Sequence, residues 1–200
     1  MDVVLRQWGG FFLDKRPASL ARRALVELLV FGVRQAWASL FGALLLVAVL
    51  GTRVYWPDTM PLARYDALFL MAVAIQIALV ATGLERPREA IVILVFHVVG
   101  TAMEVFKTHM GSWTYPEESV FRIGAVPLFS GFMYAAVGSY MARVVRIFDI
   151  RLDGYPRRSI TIALAAAIYA NFFAHHFMPD LRIGLFIATG SGLVPLAFGG

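Results

Sequence analysis

Long apolar stretches recur six times along this chain, at about 28–50, 67–84, 89–107, 125–142, 159–178 and 183–198. A helix needs about 20 mostly apolar residues to cross the hydrocarbon of a bilayer. Runs of this length and number constrain the fold more than any other feature. They predict an all-α, polytopic membrane helix bundle of about six transmembrane helices. Apolar residues make up 60% of the 200 residues and charged residues 16%, well below the ~25% charge of an ordinary soluble domain. The last run stops at Gly200 without a polar tail, which leads us to expect a seventh helix beyond it.

The breaks between runs carry the polar and helix-breaking residues. Residues 1–23 mix Arg6, Lys15, Arg16, Arg22 and Arg23 with Trp8, Phe11 and Phe12. This pattern suits a cytoplasmic segment lying at a membrane surface, ahead of a bundle over 24–200. The amino terminus has no long apolar core of the kind a cleaved signal requires. Tyr55, Trp56 and Pro57 open the first loop, Pro87 separates the second and third runs, and Gly154 with Pro156 interrupts a basic loop. Twelve Lys and Arg fall in the tail, second and fourth loops, against five in the other three loops. By the positive-inside rule the amino terminus is cytoplasmic. With six spans the carboxy terminus is cytoplasmic too. The formal net charge of +5 reflects those loops, because no basic stretch is soluble and interleaved with aromatics as nucleic-acid binding would need.

Polar side chains inside membrane helices are costly, so they are functional candidates by default. On the third run His97, Thr101, Glu104 and Thr108 stand four, three and four residues apart, which lines one helix stripe. His97 falls near the middle of its span, with Glu104 about 10 Å further out at 1.5 Å per residue. On the fifth run His175 reaches the depth of Glu104, and Asn171 lies one turn below. Neighbouring His175 and His176 would point about 100° apart on a helix, so at most one of them is expected to face the cavity. The loop between the third and fourth runs adds His109, Trp113, Tyr115, Glu117 and Glu118, with Gly111 and Pro116 making it tight. Tyr134 and Tyr140 on the fourth run carry hydroxyls that need partners if buried. Ordinary structural roles compete with each of these: Glu104 can pair with Lys107 or Arg122, and Trp113 and Tyr115 can serve as interfacial anchors. Gln76, at mid-span, is expected to hydrogen-bond to a neighbouring helix.

The run from Glu104 through His109, Trp113, Tyr115 and Glu117, followed by Gly124-Ala-Val-Pro and on to Tyr134 and Tyr140, resembles the bacterial integral-membrane family called domain of unknown function 817 (YoaT-like). That resemblance implies a polytopic inner-membrane protein. A looser one, to membrane carotenoid hydratases and lycopene-cyclase-type proteins, rests on a helix Glu, a Gly-x-aromatic-x-Tyr loop and a Gly-x-Val-Pro helix start. It implies Glu104 as an acid toward an isoprenoid double bond, with Trp113 and Tyr115 beside the polyene.

Four functions fit these residues. An acid–base enzyme on an isoprenoid- or carotenoid-like lipid would use Glu104, His97 and His175 for catalysis, and Thr101, Trp113, Tyr115, Tyr134 and Asn171 to hold the substrate. A metal-dependent hydrolase would draw ligands from His109, His175, His176 and Asp180, although no two histidines stand four apart on a helix. A transporter would route a proton or solute along the same stripe. A non-catalytic subunit would use the polar groups for assembly. The expected partners are membrane lipids and a lipid-soluble small molecule, with a homo-oligomer or larger membrane complex as the assembly; the pattern names no cofactor. Zero cysteines excludes thiolate chemistry.

Overall fold

A computed structural model describes residues 20–57, 59–151 and 156–198, the last eight of these by backbone alone. Among the described residues the chain is all-helical apart from one short ribbon. Its seven helices are α1 (Leu20–Ala38), α2 (Leu40–Tyr55), α3 (Arg64–Ala81), α4 (Pro87–His109), α5 (Phe129–Ile147), α6 (Arg158–Ala174) and α7 (Arg182–Phe198). The ribbon pairs β1 (Arg122–Ile123) with β2 (Val126–Pro127). Two compact units result: one ends at Ile150, and the other, from Arg151 on, holds the α6–α7 hairpin. Asp58, Gly154 and almost all of the expected surface segment at 1–23 lie outside the described residues.

Two helices, α3 and α4, are long and apolar enough to cross a membrane. A third crossing results if α1 and α2 act as one span, although they bend by 65° at their junction. The sequence predicts one straight helix there. The break falls at Ser39, three residues before Gly42, and Ser/Gly pairs are common kink sites. α6, with 17 residues, is a shorter apolar helix.

Chain punctuation decides where the helices begin and end. Pro87 occupies the first turn of α4, and the Glu89 carboxylate accepts the Arg86 N–H at 3.0 Å, satisfying a donor the helix start leaves free. At its other end Gly111 adopts φ +72°, and the Ser112 N–H reaches the Lys107 carbonyl at 3.0 Å, the bond of a glycine-terminated helix. α5 starts at Phe129, four residues later than predicted. The chain first turns through Gly124 (φ +60°), pairing Ile123 with Val126 and Arg122 with Pro127.

α5 is the centre of the first unit and packs on α1, α2, α3 and α4. Its contact with α4 is the closest. A Cβ on Gly100 would stand 2.5 Å from the Tyr134 ring, and one on Gly138 would stand 2.8 Å from Phe96. Small residues at such positions let helix backbones approach without lipid or side chains between them. The unit's interior is layered. An apolar layer of Phe41, Leu45, Ala72, Leu79, Ile93, Phe132 and Ala135 separates two polar ones. At the α3–α4 turn, Glu85 accepts hydrogen bonds from Gln76 Nε2 (2.5 Å) and Ser139 Oγ (2.6 Å), with Arg143 Nε 3.3 Å away. Gln76 thus bonds to the turn that follows its own helix rather than to a neighbouring helix. Beside this group Arg146 Nε stands 2.7 Å from Glu89. The opposite polar layer holds the candidate site.

Candidate functional site at the α4–α5 interface

Glu104 lies on α4 five residues before the helix ends, and it is buried (3% exposed). Its Oε1 accepts the Tyr134 hydroxyl of α5 at 2.6 Å. Its Oε2 accepts both the Tyr115 hydroxyl (2.6 Å) and the Trp113 indole N–H (2.8 Å), which arrive from the loop. Three donors from two segments, the loop and α5, thus converge on one carboxylate. Burying a carboxylate demands such a set, because each unpaired charged oxygen would cost several kcal/mol. Burial, and then the bond to Glu104, push the Tyr115 hydroxyl well above the ordinary tyrosine range, so it stays a donor. The Tyr115 ring also stands edge-on to Tyr65 and Phe129.

A second anchor fixes the loop that delivers Trp113 and Tyr115. Asp66, on α3 and 1% exposed, accepts the backbone N–H groups of Val120 (2.8 Å) and Phe121 (2.8 Å). Arg64, two residues earlier, donates from Nε and Nη2 to both oxygens of Glu117 at 2.5–3.0 Å. Arg122 makes no ion pair with Glu104 among the described residues.

His97 lies two turns toward the start of α4. Its ring packs on Phe132 with centroids 4.3 Å apart, and its Nδ1 is buried without a hydrogen-bond partner. Thr101 Oγ1 donates to the His97 carbonyl at 2.8 Å. Gly131 of α5 faces both residues; a Cβ there would collide with Thr101 Oγ1 and stand 2.7 Å from His97 Nδ1. On the outside of this contact runs a groove of about 440 Å³. His97, Val98, Thr101, Ala102, Val105, Ile123 and Leu128 line it. Thr101 and the imidazole are its polar side chains.

The structure therefore brings Glu104 together with Trp113, Tyr115 and Tyr134, and His97 together with Thr101. His109 is exposed at the end of α4. Asn171, His175, His176 and Asp180 belong to the second unit. There Asn171 Nδ2 donates to Asp180 at 3.0 Å, while its Oδ1 accepts the Leu181 N–H at 2.9 Å. Both ends of the amide are thus engaged in closing the α6–α7 turn. The bond from Asn171 and the Arg182 N–H hold the Asp180 carboxyl below the usual carboxylate range. His175 and His176 do not diverge as on a helix, because α6 ends at Ala174. Their ring centroids are 4.0 Å apart. No group of three or more His, Cys, Asp or Glu placed to hold a metal stands among the described residues.

Sequence reasoning missed Asp66, Glu85, Glu89, Arg143 and Arg146. Two acids four apart, Glu85 in the α3–α4 turn and Glu89 in the first turn of α4, face two arginines three apart at the end of α5. The sequence spacing shows that complementarity, but the apolar run stops near 142 and so leaves the arginines in a loop, whereas α5 continues to Ile147.

The family model described as protein of unknown function (DUF817) matches residues 27–194. Uncharacterized protein YoaT of Bacillus subtilis (strain 168) is 43% identical over 176 residues, which is 88% of this chain. The chain covers 64% of that relative, less than two thirds of its length. No solved structure matches. Trp113, Tyr115, Glu104 and Tyr134, the residues of the buried acceptor site, all lie within the matched span, and the chain belongs to the DUF817 family.

Proposed function

We propose that this is a multi-span protein of the bacterial inner membrane, with a cytoplasmic amino terminus, that binds a lipid-soluble, isoprenoid-like small molecule in the α4 groove and carries out acid–base chemistry on it through His97. The observation that carries this reading is the pairing of an apolar groove with one imidazole at its wall. A neutral imidazole has one donor and one acceptor nitrogen, so it can take a proton at one position and return it at another. Thr101 provides a hydroxyl beside it. The branched aliphatic side chains of Val98, Val105, Ile123 and Leu128 suit a methyl-branched hydrocarbon chain.

Glu104 takes a different role in this reading from the proton donor the carotenoid-enzyme resemblance implies. Its two oxygens already accept three hydrogen bonds, one from an indole that can only donate. Trp113 and Tyr115 serve the carboxylate rather than a polyene face. Glu104 thus ties the loop to α4 and α5 and keeps the wall of the groove in place. A transporter is less well supported, because the apolar layer around Ile93 and Phe132 stands between the two polar layers.

The test is extraction and mass spectrometry of small molecules that co-purify with wild type and with Val98→Trp, whose indole fills the groove. An apolar species present in wild type and depleted at least tenfold in the variant is the expected result. Equal content in the two proteins, or no such species in either, would overturn the proposal.

A further inference from the structure

A separate pocket of about 460 Å³ lies where α2 ends, α3 begins and the loop after α4 folds back over both. Arg53, Trp56, Met60, Arg64, Glu117 and Glu118 are among its walls. Two cations and two anions therefore share one small volume. Arg64 and Glu117 satisfy each other, with three hydrogen bonds between their side chains. Arg53 and Glu118 do not: neither forms an ion pair or side-chain hydrogen bond with the other or with any described residue.

An unpaired guanidinium and an unpaired carboxylate in the same pocket offset each other's attraction for any ligand that carries one sign of charge alone. An anion drawn to Arg53 meets Glu118 and Glu117, and a cation drawn to Glu118 meets Arg53. A molecule carrying both charges satisfies both walls. Guanidinium groups bind phosphate through two parallel N–H donors. An ammonium is held by a carboxylate and by the face of an indole, and Trp56 lines the same wall. We infer that this pocket binds a zwitterion of the ethanolamine-phosphate kind, its phosphate on Arg53 and its ammonium between Glu118 and Trp56. The choice of phosphate rests on the membrane reading above, since the pocket stands where the apolar runs of α2 and α3 stop, at headgroup depth. The charge pattern itself does not depend on that reading, nor on the His97 groove.

Phosphoethanolamine is both a free solute and the headgroup of phosphatidylethanolamine, and the experiment separates these sources. The full chain is placed in nanodiscs of phosphatidylglycerol alone and titrated calorimetrically with phosphoethanolamine and with glycerol 3-phosphate. In parallel, native mass spectrometry counts lipids retained from nanodiscs that mix phosphatidylethanolamine and phosphatidylglycerol. Wild type is expected to prefer phosphoethanolamine over glycerol 3-phosphate by about tenfold, or to retain phosphatidylethanolamine selectively if only the lipid form binds. Loss of one charge-assisted contact corresponds to about tenfold or more in affinity. Arg53→Gln weakens binding by about that factor, and Glu118→Gln removes the preference while leaving phosphate binding. Both side chains are exposed, so unchanged melting of the variants checks that the fold is kept. Equal binding of the two solutes with no lipid selectivity, no binding in either arm, or variants that bind like wild type would each overturn the assignment.

Discussion

At the residue scale the structure ranks the polar side chains by how completely they are engaged. Glu104 has three donors and Asp66 two, whereas His97 Nδ1 has none. Removing a donor from a buried carboxylate leaves an oxygen lone pair without water or partner, a loss of about 1.5–3 kcal/mol. Tyr134→Phe is therefore expected to lower unfolding stability in detergent by about that amount, and Tyr115→Phe by a similar one. Urea or thermal unfolding of the purified variants reads this directly, and unchanged midpoints would show that the bonds contribute little. Gly131 makes a different demand. Alanine there collides with Thr101 and crowds the His97 carbonyl at 2.8 Å. Overpacking of this sort costs typically about 1–3 kcal/mol. Gly131→Ala should lower stability and loosen the α4–α5 contact, seen as faster hydrogen exchange along both helices. Much of this set was legible beforehand, because Glu104, Trp113, Tyr115 and Tyr134 are polar or amphipathic residues in apolar surroundings. That they bond to one another was not legible, since the loop path that returns Trp113 and Tyr115 to α4 depends on the Asp66 anchor 54 residues earlier than Val120.

At the element scale the α4–α5 pair is the framework, and its two ends are fastened differently. One end is closed by the Glu104 donors, the other by Glu85 with Arg143 and Glu89 with Arg146. Both side chains of the Glu85–Arg143 pair are fully buried. Breaking a buried pair by removing one partner is far more damaging than replacing both, at about 3–5 kcal/mol. Glu85→Ala alone should therefore reduce folded yield sharply, while Glu85→Met combined with Arg143→Met should recover much of it. Size-exclusion profiles of the three proteins decide the matter, and a double variant no better than the single would refute the pairing. The helical periods of α3 and α4 could be read from sequence because their apolar runs are long and bounded by Pro87 and Gly111. The bend at Ser39 and the ribbon at 122–127 could not. The Ser39 and Gly42 pair permits a bend without requiring one, and β2 packs on α4, a contact between segments that a local pattern does not encode.

At the scale of the whole molecule, the apolar runs establish a helical chain with segments able to enter a bilayer, and the number of crossings is the open structural prediction. The sequence has no cysteine, so single cysteines can be placed without a background. Six spans with a cytoplasmic amino terminus require residues introduced at 60 and 118 to label from outside intact cells, and those at 86 and 150 only after permeabilisation. Labelling of all four from one side would contradict that topology. The functional account rests on His97 doing chemistry at the groove while Glu104 holds its frame. It is tested most directly by mass spectrometry of the small molecule bound to His97→Gln beside that bound to Tyr134→Phe. The account predicts that His97→Gln retains an isomer of the wild-type species, equal in mass and resolved by chromatographic retention, the unconverted molecule, whereas Tyr134→Phe lowers stability and carries the wild-type species. The wild-type species on His97→Gln, in unchanged amount, would contradict it.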